Sequence, residues 1–268
     1  MLKKTAKENF SSLEPARLDV HNISISYGSR KAIDNMSFSI NHGERVAVIG
    51  PNGAGKSTLF KALIGLISPE SGKIFIHGQP LGHHFDCVAF IPQREEVDWT
   101  FPVTIRDVVQ MGRYNGRRRF KRNTKDEDDI VLDAMVQMDI LELANRPIGD
   151  LSGGQQQRAF IARALAQKPH IMLMDEPFNG VDVVTQELIW ELLDKLTHDK
   201  VTIMIATHDL NLASQKFDNV MLINKKMIAF GEPAKVFTKD NLAAAYENQV
   251  LFIGNNAVAD QCCPKDIE

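Results

Sequence analysis

The sequence predicts an α/β fold built on a mainly parallel sheet, and three observations predict it. Short continuous apolar runs recur at residues 46–49, 171–174, 201–206 and 220–223, as expected of strands buried on both faces. Segments of helical character at 185–198 and 210–217 separate the later runs, and alternating strands and helices mark a parallel α/β sheet. Between residues 103 and 166 helical periodicity takes over, as in a helical subdomain inserted into such a sheet.

The elements follow in chain order. Residues 1–15 are polar and are expected to form a flexible N-terminus. From Arg17 to Ser26 the chain alternates, with Leu18, Val20, Ile23 and Ile25 apolar, which reads as one or two edge strands. Residues 38–40 suggest a second, short strand. The run 46–49 ends at Gly50, and the absence of Gly and Pro between Gly55 and Gly65 predicts a helix there. Residues 73–76 and 88–91 read as further strands. The helical region is interrupted by a charged stretch at 113–129, and a helix is expected over 155–166. The main domain is placed at 16–253, with the helical subdomain at about 94–166 and a flexible tail at 254–268.

Composition narrows the function. A chain of 268 residues can form one large α/β domain. Its net charge of −3 offers no global attraction for nucleic acid or anionic lipid, so no nucleic-acid partner is expected. The three cysteines, Cys87, Cys262 and Cys263, form no spaced disulfide framework, which suits a reducing compartment. The first ten residues carry lysines but no apolar centre, so they do not read as a secretory signal. No stretch approaches the roughly 18 apolar residues that cross a bilayer, so action at a membrane would require a partner.

Gly50-Pro51-Asn52-Gly53-Ala54-Gly55-Lys56-Ser57 fits the phosphate-loop pattern of two separated glycines followed by lysine and a hydroxyl residue. The context fits as well, because a buried strand precedes the loop and a helix follows it. Glycines let the backbone curl its N–H groups inward, and the helix N-terminus adds partial positive charge. Lys56 is expected at the β- and γ-phosphates of ATP, Ser57 on Mg²⁺, and Thr58 beside them. A plain glycine turn with a surface lysine would not need the flanking strand and helix.

Asp175 ends an apolar run and is therefore expected at the carboxyl end of a buried strand, where ligands bind in open α/β sheets. It can hold Mg²⁺. Glu176 follows at once and is the candidate general base for water. Leu151-Ser152-Gly153-Gly154-Gln155 supplies a second phosphate device, a Ser-Gly-Gly turn opening a helix without any lysine. One ATP needs one cradle, so the second is expected to serve a nucleotide held by another copy.

Here the sequence resembles the ABC transporter ATPase family, for which Leu151–Gln155 followed by Gln156, Gln157 and Arg158 is the signature. The resemblance spans about residues 17–253. It implies a P-loop NTPase (RecA-like) core with an N-terminal antiparallel β subdomain and the inserted helical subdomain. It implies that Tyr27 stacks on adenine, and that Gln93 touches Mg²⁺ and water and links the site to the membrane partner. Asp182 falls in the D-loop Asn179-Gly180-Val181-Asp182, and His208 matches the switch histidine at the γ-phosphate. The implied assembly is a head-to-tail homodimer holding two ATP molecules.

The stretch from Gln93 and Arg94 to Trp99, then 108–114, looks like importer cassettes for manganese, zinc or chelated iron. The D-loop Gly180-Val181-Asp182, where many cassettes carry Ala-Leu-Asp, points the same way. Trp99 and Phe101 are read either as core residues or as a docking patch. The resemblance implies separate integral membrane permease subunits, an extracytoplasmic binding protein, and a peripheral position on the cytoplasmic face of the bacterial inner membrane.

Other features read more simply. His83, His84, Asp86 and Cys87 fit no structural zinc spacing and suggest a solvated turn. Cys262 and Cys263 read as a tail feature. Arg117, Arg118, Arg119, Lys121 and Arg122 are followed by Asp126–Asp129, which suggests a solvated loop entering an acid-favoured helix start. The alternatives are a soluble ABC ATPase, for example in iron–sulfur assembly, a cassette for another small solute, and an ordinary P-loop kinase or GTPase. The Ser-Gly-Gly turn argues against the last.

Overall fold

Alternation in β1 (Leu18–Tyr27) buries Leu18, Val20, Ile23 and Ile25 on one face of an antiparallel sheet. In this computed structural model, which describes residues 18–82, 87–114, 125–246, 250–253 and 256–259, β1 pairs with β2 (Arg30–Ile40). The chain then leaves through β3 (Arg45–Ile49) into a second sheet. It returns as β4 (Ser71–Ile76) and β5 (Gln79–Pro80), giving the order β2-β1-β4-β5. The second strand begins at Arg30 rather than at residue 38. Register shifts between Val20 and Ile23, and again around Ile25, break the two-residue pattern that would have shown its full length.

The second sheet comprises β6 (Val88–Ile91), β7 (Ile171–Asp175), β8 (Thr202–Thr207), β9 (Asn219–Asn224), β10 (Lys226–Gly231) and β3, in the order β10-β9-β3-β8-β7-β6. All neighbours run parallel except β10 on β9. Successive residues feed opposite cores, as period-two geometry requires. Ala47, Ile49, Met172, Met174, Ile203 and Ile205 face one core. Val46, Val48, Ile171, Leu173, Met204 and Ala206 face the other. This is why the runs read as continuously apolar.

The helix α1 (Lys56–Leu63) joins the antiparallel sheet on the second face, through Leu59, Phe60 and Leu63. The first face carries α2 (Ile105–Met111), α3 (Lys125–Gln137), α4 (Gly153–Ala166), α5 (Val183–His198) and α6 (Leu210–Lys216). Thr104 starts α2 with a reciprocal cap. Its hydroxyl accepts from the Asp107 N–H at 3.2 Å, while Asp107 accepts from the Thr104 N–H at 2.9 Å. Asp126, Glu127 and Asp128 occupy the first turn of α3, where the helix dipole favours acids. The helices α2, α3 and α4 all lie between residues 94 and 166 and pack on the first face.

Several elements were not anticipated: β5, β10, the short helices α7 (Pro233–Val236) and α8 (Lys239–Tyr246), and the hairpin of β11 (Val250–Ile253) with β12 (Asn256–Ala259). The hairpin pairs strands on either side of residue 253, where the main domain was expected to end. Residues 1–15, His83, His84, Asp86, the run Arg117–Arg122, and Cys262 with Cys263 lie outside the described residues. Among the described residues no helix is long and apolar enough to cross a membrane.

Candidate functional site

The loop between β3 and α1 is held by close backbone approach. A Cβ at Gly50 would lie 2.1 Å from the Ile223 carbonyl oxygen, and one at Gly55 would lie 2.6 Å from that of Ala32. Gly55 also has φ 101°, a conformation that L side chains rarely adopt, and it begins α1. Lys56 is buried, and its ammonium donates to the carbonyls of Gly50 at 2.8 Å and Pro51 at 3.2 Å. Burial pulls its pKa below the ordinary lysine value, while Glu176 and Asp175 hold it up.

These residues line a cleft of about 490 Å³. Asn52, Gly53, Ala54, Gly55, Lys56, Ser57 and Thr58 line it together with Tyr27, Gln93, Asp175 and Glu176, whereas Gly50, Pro51 and His208 of the expected residues do not. Gly50 and Pro51 reach it through the lysine. Tyr27 is 53% exposed at the rim, with its hydroxyl 3.5 Å from Thr58 Oγ1. An aromatic face left open beside a phosphate cradle suits a planar base. Arg30 and Ala32 also line the cleft and were not singled out from the sequence. A basic residue just after the Tyr27-Gly28-Ser29 turn was the available signal for Arg30.

Asp175 ends β7, 2% exposed, and its Oδ2 finds no hydrogen-bond partner among the described residues. Burial pushes its carboxyl above the usual carboxylate range. A hydrogen bond from Ser57 opposes that push, Glu176 adds to it, and Lys56 counters it. A buried carboxylate oxygen without a donor is costly unless a cation meets it. The oxygen-rich set of Ser57, Gln93 and Asp175 therefore fits Mg²⁺, a hard cation that takes oxygen ligands.

Glu176 follows in a left-handed conformation, φ 48°, pinned by its N–H to the Ala206 carbonyl at 3.0 Å. Strain of this kind persists where the surrounding fold enforces it. Its Oε2 lies 3.3 Å from Nδ1 of His208, which stands just past the end of β8. Both residues line a second, smaller cleft with Asn179, Gln186 and Trp190. Phe178 stacks on Trp190 at 4.7 Å and stiffens this wall.

The signature residues stand apart: none of Leu151, Ser152, Gly153, Gly154 and Gln155 lines the phosphate cleft. Ser152 is exposed and caps α4, its hydroxyl accepting from the Gln155 N–H at 3.3 Å while Gln155 accepts from the Ser152 N–H at 3.1 Å. A Cβ at Gly154 would lie 2.7 Å from Asp182 Oδ2, so the signature turn packs against the start of α5. Asp182 caps that helix through Thr185, and these hydrogen bonds hold its carboxyl below the usual range. Arg94, one residue past Gln93, donates to Gln156 of α4 at 3.2 Å.

Trp99 and Phe101 divide between their two readings. Trp99 is half-buried, packs edge-on to Phe160 at 5.2 Å, and donates its indole N–H to the Arg94 carbonyl at 3.0 Å. Phe101 is 57% exposed, and Met111 and Tyr114 of the same subdomain are exposed as well.

Comparison with known proteins places this geometry. A family model described as ABC transporter matches residues 33–179. The manganese transport system ATP-binding protein MntB of Listeria monocytogenes is 42% identical over 229 residues, covering 85% of this chain and 95% of that relative. The chelated iron transport system membrane protein YfeB of Yersinia pestis is 42% identical over 246 residues, covering 90% and 83%. A solved metal-chelate type ABC transporter in an inward-facing conformation superposes with a TM-score of 0.75 at 28% identity, covering 91% of this chain and 95% of that one.

Proposed function

The chain belongs to the ABC transporter family as an ATP-binding cassette, an ATPase subunit of a transporter, and from that premise we propose that it drives import of manganese, or of iron or zinc, as a head-to-tail pair bound to separate permease subunits. The observation that carries the paired reading is the separation of two phosphate devices. The lysine cradle and the exposed Ser152 turn belong to one chain, yet no signature residue lines the cleft. A second copy brings its own turn over each nucleotide.

The chemistry follows from the chain's groups. Tyr27 stacks on adenine, and the loop amides with Lys56 receive the phosphates, the ammonium exchanging carbonyl partners for phosphate oxygens. Ser57, Gln93 and Asp175 are the residues that would hold Mg²⁺, which supplies neutralisation of the phosphate charge. Glu176 orients the attacking water and accepts its proton. His208, whose Nδ1 lies 3.3 Å from Glu176 Oε2, reaches the γ-phosphate. Ser152 of the second copy contacts the same phosphate, so hydrolysis removes the bridge that held the pair closed. The chain sits peripherally on the cytoplasmic face of the membrane, and an extracytoplasmic binding protein delivers the metal. The relatives named for manganese and chelated iron support this cargo class.

The test combines assembly and transport. With Mg²⁺ and ATP, the Glu176→Gln chain is expected to run as a dimer and to hydrolyse about a hundredfold or more slowly. Persistence as a monomer with its permease present would remove the paired mechanism. Cells carrying Lys56→Ala are expected to lose uptake of labelled Mn²⁺, iron or Zn²⁺. Unchanged uptake of all three would discard the cargo while leaving the ATPase in place.

A further inference from the structure

We propose that His77, Cys87 and His170 form a binding site for one zinc-class cation, at the amino ends of the sheet strands and separate from the nucleotide cleft. The ligand atoms of these three residues all lie within 4.8 Å of one another. They come from three elements. His77 sits in the two-residue turn between β4 and β5, with φ 52° there and 71° at Gly78. Cys87 directly precedes β6 and His170 directly precedes β7, and the His170 N–H donates to the Cys87 carbonyl at 2.8 Å. The parallel pairing of Val88 with Ile171 fixes that juxtaposition.

The chemistry selects the ion. One thiolate and two imidazoles suit Zn²⁺ and its Co²⁺ substitute, whereas Mn²⁺ and Mg²⁺ favour oxygen ligands. His77 Nε2 and His170 Nδ1 are 2.9 Å apart, sharing a hydrogen bond, with their rings nearly perpendicular. A tetrahedral zinc with ordinary bond lengths sets its ligand atoms roughly 3.3–3.6 Å apart, so side-chain shifts of about an ångström suffice. Binding releases the thiol proton, and the donating imidazole moves its proton to its other nitrogen. His170 is exposed, which leaves a fourth position for water. His42 lies close enough to His170 for their charges to oppose each other, so a cation here also acts on that ring.

The ion would join the turn of the antiparallel sheet to the edge of the parallel one. This is a structural clip, independent of the cargo and of nucleotide hydrolysis. Nothing in the ATPase reading requires it, so the two stand or fall separately.

The test is a Co²⁺ titration of the full chain carrying Cys262→Ser and Cys263→Ser, which removes the competing thiols. One Co²⁺ per chain is expected, with a thiolate-to-cobalt charge-transfer band that Zn²⁺ displaces. Cys87→Ser in that background is expected to abolish the band while leaving ATP hydrolysis intact. His77→Asn, which keeps a residue tolerant of the left-handed turn, should weaken affinity by about a hundredfold. Zn²⁺ should raise the melting temperature of the parent and not of His77→Asn. A band that survives Cys87→Ser, or one already absent in the Cys262→Ser, Cys263→Ser parent, would overturn the site.

Discussion

Asp175 is held by the end of β7 in a place where its own charge is disfavoured. Burial raises its pKa, so in the ion-free chain the folded state favours the protonated form. That contribution is full below the unfolded carboxyl value, about 4, and is lost as pH rises through the higher folded value. At neutral pH the ionised group therefore weighs against the fold until a cation meets it. Asp175→Asn should raise the melting temperature of the nucleotide-free chain at pH 7, with the gain fading towards pH 4. The same variant should lower Mg²⁺-dependent turnover by about a hundredfold. A loss of stability at neutral pH would remove burial as the dominant effect on this carboxyl. Asp175 was readable from sequence because a strand of five buried residues ends on it. Arg30 was not, because a lone basic residue after a turn carries no spacing that points at a phosphate cleft. The grouping of Cys87 with His77 and His170 was not legible, because the three are far apart in sequence and only strand pairing assembles them.

At the scale of elements, one helix start closes a cap and, in the pairing proposed above, also meets a phosphate. Ser152 closes a capping box on α4 and exposes the hydroxyl end of that turn. Asp is as good an N-cap as Ser, so Ser152→Asp should melt within about 2–4 °C of the parent, the shift expected for roughly 1 kcal/mol in a domain of this size. Its negative charge would face the phosphates of the second copy's nucleotide, and turnover should fall at least about tenfold. Calorimetry beside an ATPase assay separates the two effects; a variant of full activity would deny the turn its phosphate. Elements with one strong pattern were legible: the double-faced strands, and the glycine-free helix after the phosphate loop. Those with weak patterns were not. The strand β10 is half-buried along most of its length and shows no alternation, while α7 has four residues and α8 eight. Propensity decides little over such lengths.

Across the whole molecule, the phosphate cleft opens at the carboxyl ends of β3 and β7, while the helical subdomain presents Phe101, Met111 and Tyr114 to solvent. An exposed apolar group on a subdomain next to the Gln93 segment suits a permease contact. Phe101→Glu with Tyr114→Glu should leave melting temperature and nucleotide binding near those of the parent and abolish co-purification with the permease. Retention of the permease would move that contact elsewhere on the chain. The fold class and the inserted helical subdomain were visible in the sequence because each depends on hydrophobic period. The β11–β12 hairpin was missed because a short antiparallel pair near a chain end has no helix between its strands to announce it.

The hydrogen bond from Arg94 to Gln156 runs between the segment after β6 and the first turn of α4, bypassing the sheet altogether. Gly154 in that turn sits tight against Asp182, and Trp99 anchors the same segment through the Arg94 carbonyl. These contacts tie the helical subdomain to the segment that follows Gln93, and in the paired arrangement proposed above they would rig it like a rocker arm between the two nucleotides. On that reading the Arg94–Gln156 bond is the connecting rod, and a motor with the rod cut would burn fuel at idle without turning the wheel.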